Sequence, residues 1–97
     1  MNDIIENAIL QQQAVRFSYH GKTRVAEPFC YGADAGGEHV LRAYQISGYS
    51  GQSPPIGWRL FKVSEMQDIA LVHQRFERRP GYDPGDPEMS KVFCKLG

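Results

Sequence analysis

Apolar and polar positions alternate in short stretches along this chain, most clearly in Gly57-Trp58-Arg59-Leu60-Phe61-Lys62-Val63. In an extended segment Arg59, Phe61 and Val63 point to one side and Trp58, Leu60 and Lys62 to the other. Ser64-Glu65-Met66-Gln67-Asp68 breaks the pattern, as a turn between two strands does. Earlier, Val15, Phe17 and Tyr19 alternate with Arg16, Ser18 and His20, which predicts a first strand. His20-Gly21-Lys22 suits a tight turn, and residues 23–31 form a second strand. Pro28 lies inside it and requires an edge position or a bulge, because proline cannot donate to a ladder. Residues 32–37 make a hairpin loop. Residues 39–46 are a third strand, with His39, Leu41 and Ala43 on one face and Val40, Arg42, Tyr44 and Ile46 on the other. The stretch at 57–63 is the fourth strand, and residues 69–76 are the fifth.

Two segments carry a helical period instead. In residues 3–13, Ile4, Ile5, Ala8 and Ile9 form one apolar stripe. Asn2 or Asp3 stands at the cap, and Glu6 follows Asp3 in capping-box fashion. Near the other end, residues 78–85 read as a stiff extended linker, and Asp86-Pro87-Glu88 has the cap, proline and acid of a helix start. Met89, Val92, Phe93 and Leu96 then fall at i, i+3, i+4 and i+7, with Lys91 and Lys95 towards the C-terminal end of the dipole. Between the third and fourth strands, residues 47–57 form a Gly/Ser/Pro loop, long for a hairpin and hence functional or mobile. The expected architecture is mainly β: a five-stranded SH3- or Sm-like barrel with an N-terminal helix and a short C-terminal helix. An OB-like barrel is the alternative. Residues 1–79 make the barrel domain and residues 80–97 an arm, whose helix packs on its own barrel or on a neighbour's.

Composition narrows the function classes. Ninety-seven residues make one domain, with about 60–65% of the unfolded surface buried. Eleven basic residues balance eleven acidic ones, so a sequence-independent nucleic-acid coat is excluded while a local basic patch is not. No apolar run reaches the roughly 18 residues of a membrane span, and the start lacks the features of a signal peptide. Cys30 and Cys94 are far apart, without metal-ligand spacing, and read as reduced thiols of a cytosolic protein. No Gly-rich loop joins a strand to a helix, so a mononucleotide fold is excluded.

Several of these segments together resemble the WYL domain family. They are Ala8-Ile9 in the opening helix, Val15-x-Phe17-x-Tyr19, Arg24-x-x-Glu27-Pro28, His39-Val40-Leu41-x-Ala43-Tyr44, and Arg59-x-Phe61-Lys62-Val63-Ser64-x-Met66. The resemblance covers roughly residues 4–76. The family's naming Trp-Tyr-Leu run aligns with His39-Val40-Leu41, and its late Asp-Arg-Ile run with Ser64-Glu65-Met66, so an acid stands where a pocket arginine is expected. The resemblance implies an Sm-like barrel in a bacterial transcriptional regulator. It also implies that basic and aromatic side chains sense a nucleotide or nucleic-acid ligand. A winged-helix DNA-binding half is absent from these 97 residues, so a partner protein is expected to supply it.

Arg24, Arg42, Arg59 and Lys62 are the candidate ligand contacts, on strands that a small barrel brings together into one hollow. Tyr44 and Trp58 are candidate stacking groups, and His39 a candidate ligand contact. Each has an ordinary alternative: a salt-bridged face shared with Glu27, Glu38 and Glu65 for the cations, core packing for His39, a lid or subunit contact for Trp58. Cys30 with His39 or His73 lacks an orienting third group, and Asp34, Asp83 and Asp86 suit turns and caps. No catalytic residue, metal ligand or cofactor site is assigned. Two functions remain. One is a non-catalytic regulatory module sensing a nucleotide or short single strand. The other is an assembly element, without membrane contact, that forms homo-oligomers through its C-terminal helix.

Overall fold

The strand on which the sheet is built is β2 (Lys22–Ala33), in a computed structural model that describes residues 2–48 and 56–97. Its first half pairs antiparallel with β1 (Gln13–Tyr19), Lys22 opposite Tyr19 and Ala26 opposite Val15. His20 and Gly21 turn the chain between them, both at positive φ, as a two-residue hairpin requires. On its other side β2 pairs along its length with β3 (His39–Gly48). β4 (Gly57–Lys62) extends the sheet beyond β3, and β5 (Met66–Arg75) beyond β1, giving the order β4-β3-β2-β1-β5. The second half of β2, which β1 does not reach, pairs from Cys30 to Ala33 with a sixth strand, β6 (Lys91–Lys95).

The sheet is antiparallel and curled but not closed, where a closed five-stranded barrel was expected. β4 and β1 are three strands apart, about 14 Å if the sheet were flat. Yet the Phe17 and Phe61 rings have centroids 4.9 Å apart, edge to face. A 3₁₀ turn, Val63–Glu65, joins β4 to β5 without a ladder between them. At that gap the Lys62 backbone N–H donates to the Tyr19 hydroxyl at 3.1 Å.

α1 (Asp3–Gln11) covers the concave face. The Asn2 side chain caps it by accepting from the Ile5 N–H at 3.0 Å. It ends two residues earlier than expected because Gln12 takes the left-handed conformation and Gln13 already belongs to β1. Ile5, Ala8 and Ile9 are fully buried, whereas Ile4, expected in the same stripe, is 42% exposed. They pack with Val15, Phe17, Tyr31, Leu41 and Phe61 into the inner core.

A second cluster lies on the outer face: Phe29, Cys30, Phe76 and Tyr82, with Tyr44, Trp58 and Met89 against it. Pro28 sits at a bulge, one of the two positions the sequence leaves open for it, since the β2–β3 register shifts between Pro28 and Cys30. The extra residue there lets Phe29 and Cys30 both join the outer cluster.

The expected C-terminal helix is replaced by one turn and β6. Asp86 does act as a cap, its side chain accepting from the Glu88 N–H at 3.0 Å, and the Met89 N–H reaches the Asp86 carbonyl at 3.1 Å. There the helical course stops. The Ser90 N–H donates to the Ala33 carbonyl at 2.8 Å and carries the chain onto the sheet. The physical reason is competition: a helix of about ten residues is marginal alone, while the open side of β2 offers a ladder to Val92 and Phe93, both good strand formers. Gly32 makes this possible, because a Cβ there would lie 2.0 Å from the Lys91 carbonyl oxygen. The tail therefore docks on its own sheet, one of the two placements expected for it, but as a strand where a helix was expected. The loop expected at 47–57 falls, for residues 49–55, outside the described residues. Among the described residues no helix is long and apolar enough to cross a membrane.

Candidate functional site

The alternation read from the sequence divides the seven candidate residues between two faces. Arg24 is opposite Phe17 and Arg59 opposite Ala43, so both lie on the concave face with the inner core. Arg42 is opposite Leu60 and Cys30, and Tyr44 opposite Trp58, on the convex face. Lys62 follows Leu60 on that convex side. The single hollow expected to gather Arg24, Arg42, Arg59 and Lys62 is therefore not built.

At the concave mouth, Arg24 lies over two rings, its guanidinium carbon 5.1 Å from the Tyr19 centroid and 5.9 Å from that of Phe61. Its Nη1 donates to the fully buried Gln45 at 3.5 Å, a long bond. Arg24 takes part in no ion pair among the described residues, and its Nε is buried without a hydrogen-bond partner. Burial, the largest cause, and the neighbouring Arg59 charge lower its pKa, while Tyr19 works the other way. Arg59 donates from Nη1 to the Trp58 carbonyl at 2.9 Å. Two guanidinium groups held close in part-buried surroundings repel each other, and an anion between them relieves that repulsion.

On the convex face Arg42 is bound to Asp86 through two bonds, Nε to Oδ2 at 2.7 Å and Nη2 to Oδ1 at 3.3 Å. Burial, the largest influence, pushes the Asp86 carboxyl up. The Arg42 bonds and the Glu88 N–H more than offset it, so the net shift is downward. Tyr44 is covered by Arg79, whose guanidinium stands 4.1 Å over the ring and forks onto the buried Glu27. Trp58 packs edge-on against Phe29 and Tyr44 and lies nearly parallel to Tyr82, centroids 6.3 Å apart. A cleft of about 320 Å³ opens beside Trp58, Tyr82, Asp83, Asp86 and Glu88. A larger polar cleft, about 750 Å³, borders Glu27, Phe76, Arg78 and Arg79.

Lys62 is exposed and its Nζ lies 3.9 Å from Glu65, which also pairs with His20. His39 sits at the far end of the concave face. Its Nδ1 shares a 2.9 Å hydrogen bond with the Tyr31 hydroxyl and its ring packs on Phe93, the core role weighed above. Cys30 is a buried thiol pushed up to about 11 by burial, far from the thiolate a nucleophile needs. Among the described residues no group of three or more His, Cys, Asp or Glu is placed to hold a metal ion.

Sequence reasoning missed Tyr82 and Arg79, named Glu27 as a salt-bridge partner without finding that Arg79 is the cation it binds, and gave Asp86 to a helix cap alone. Asp86 in Asp-Pro-Glu carried a cap signal and performs that role, but nothing local marks it as the partner of a residue 44 positions away. No family model, curated protein or solved structure matches the chain.

Proposed function

We propose that this chain is a non-catalytic binding module for a phosphate-bearing ligand, a nucleotide or a short single strand, in the manner of a WYL-like regulatory domain acting in transcription. Arg24 and Arg59 hold the phosphate at the concave mouth. The observation that carries this reading is the buried, unpartnered Nε of Arg24, beside a second guanidinium and without an ion-pair partner among the described residues. A desolvated donor on a charged group is costly to leave unmade, and a phosphate oxygen satisfies both its charge and its hydrogen bond. Tyr19 and Phe61 already carry Arg24 and orient its planar group. Arg42, Lys62 and His39 are not part of this site, being committed to Asp86, Glu65 and Tyr31.

Fluorescence anisotropy with labelled adenine nucleotides and a labelled oligothymidylate at low salt tests the proposal. Saturable binding is expected, weakened about 10- to 100-fold by Arg24→Gln, as for loss of a charge-assisted bond. Arg42→Gln is expected to leave affinity unchanged. Absence of saturable binding to every probe, or equal loss from both variants, removes the concave mouth as the site.

A further inference from the structure

We infer that the cleft beside Trp58 is a second site, one that takes an organic cation of the methylated-ammonium class. Of the three aromatic rings with a polar atom on the convex face, two carry a cation of the chain. Tyr44 has the Arg79 guanidinium 4.1 Å over its centroid, and Tyr82 has that of Arg78 at 5.1 Å. Trp58, the best cation-binding ring of the three and the only tryptophan of the chain, has no cation of the chain over it among the described residues. It is half-buried and lines an open cleft of about 320 Å³, room for a small ligand.

The charges around that cleft point the same way. Arg42 and Asp86 neutralise each other through their paired bonds. Asp83 and Glu88 remain, both exposed at the rim and in no ion pair among the described residues. An aromatic wall with two surplus carboxylates attracts a cation and repels a phosphate, so this cleft does not serve the ligand of the concave mouth. A quaternary ammonium suits it better than a bare ammonium, since its methyl groups bury against the indole and it gives up little hydration. Gly81 fixes the indole edge, for a Cβ there would meet Trp58 Nε1 at 3.2 Å in a backbone conformation, φ +89°, that other residues rarely adopt.

Trp58 reports on its own site. Its emission in the whole chain is titrated with tetramethylammonium chloride at constant ionic strength, and in parallel with 3,3-dimethylbutan-1-ol, the uncharged analogue of the same shape. The expected result is a saturable change with a Kd in roughly the millimolar range for the cation, and binding about fivefold or more weaker for the alcohol. Asp83→Asn with Glu88→Gln, two exposed positions whose replacement is expected to leave the circular dichroism unchanged, should weaken the cation severalfold and the alcohol not at all. Choline and a trimethyl-lysine peptide then separate a free small molecule from a modified protein side chain as the source of that chemistry. No saturable change with tetramethylammonium, equal binding of the alcohol, or indifference to the double variant overturns the inference. A failure of nucleotide binding at Arg24 does not touch it.

Discussion

On the concave face Phe17, Tyr31, Leu41 and Phe61 are buried under an amphipathic helix in a mostly apolar cluster. On the convex face Phe29, Phe76 and Tyr82 are buried with Met89 and Leu96 of the 86–97 segment, held by guanidinium groups. Arg42 grips Asp86, Arg79 grips Glu27, and Arg78 donates to the Gly97 carbonyl at 2.8 Å. The first face is closed by the hydrophobic effect, which needs no exact geometry. The second depends on a few charge-assisted bonds between groups far apart in sequence. One region should therefore yield to lost volume, the other to lost charge.

Phe17→Ala should have the largest effect, about 3–5 kcal/mol, read as a lowered urea midpoint with an unchanged slope. If Phe76→Ala on the convex face costs as much, the distinction between the faces fails. Asp86→Asn comes next, at about 2–3 kcal/mol. That is below the 3–5 kcal/mol of a fully buried pair, because Arg42 retains 23% of its side-chain exposure and some hydration. Joint replacement Arg42→Met with Asp86→Leu should recover most of the loss.

The same pair makes the convex face sensitive to acid. The folded Asp86 pKa lies below its ordinary value of 3.8. Its contribution is thus complete above the ordinary carboxylate range and is lost as pH falls through the folded pKa. Trp58 emission should shift in that acid window, and the shift should vanish in Asp86→Asn. Gly32→Ala should cost about 1–3 kcal/mol by pushing β6 from β2, seen as faster hydrogen exchange at residues 91–95. Glu65→Gln is the smallest change. Its partners His20 and Lys62 are exposed, so the unfolding midpoint should not move.

Local pattern was enough for the concave face. Val15, Phe17 and Tyr19 alternate, are buried as expected, and set the register against β2. Pro28 announced an edge position or a bulge, and the bulge is what forms. The convex face was largely illegible, because what decides it is non-local. Met89, Val92, Phe93 and Leu96 fit a helix by spacing, and only the vacant ladder of β2 shows why they became a turn and a strand. The candidate site suffered likewise. Alternation separates Arg59 from Lys62 within β4, but placing Arg24 and Arg42 takes the register between strands, which an assumed closed barrel did not supply. The carboxylates that engage Arg42 and Arg79 come from distant positions that no spacing rule connects.

The pairing of β6 with residues 30–33 of β2 has a further consequence for the life of the chain. Detaching β6 would uncover a run of vacant amide and carbonyl groups beside Phe29, a template on which another polypeptide can polymerise. β6 thus works as a guard against self-association, and a variant that cannot form it should precipitate before it unfolds.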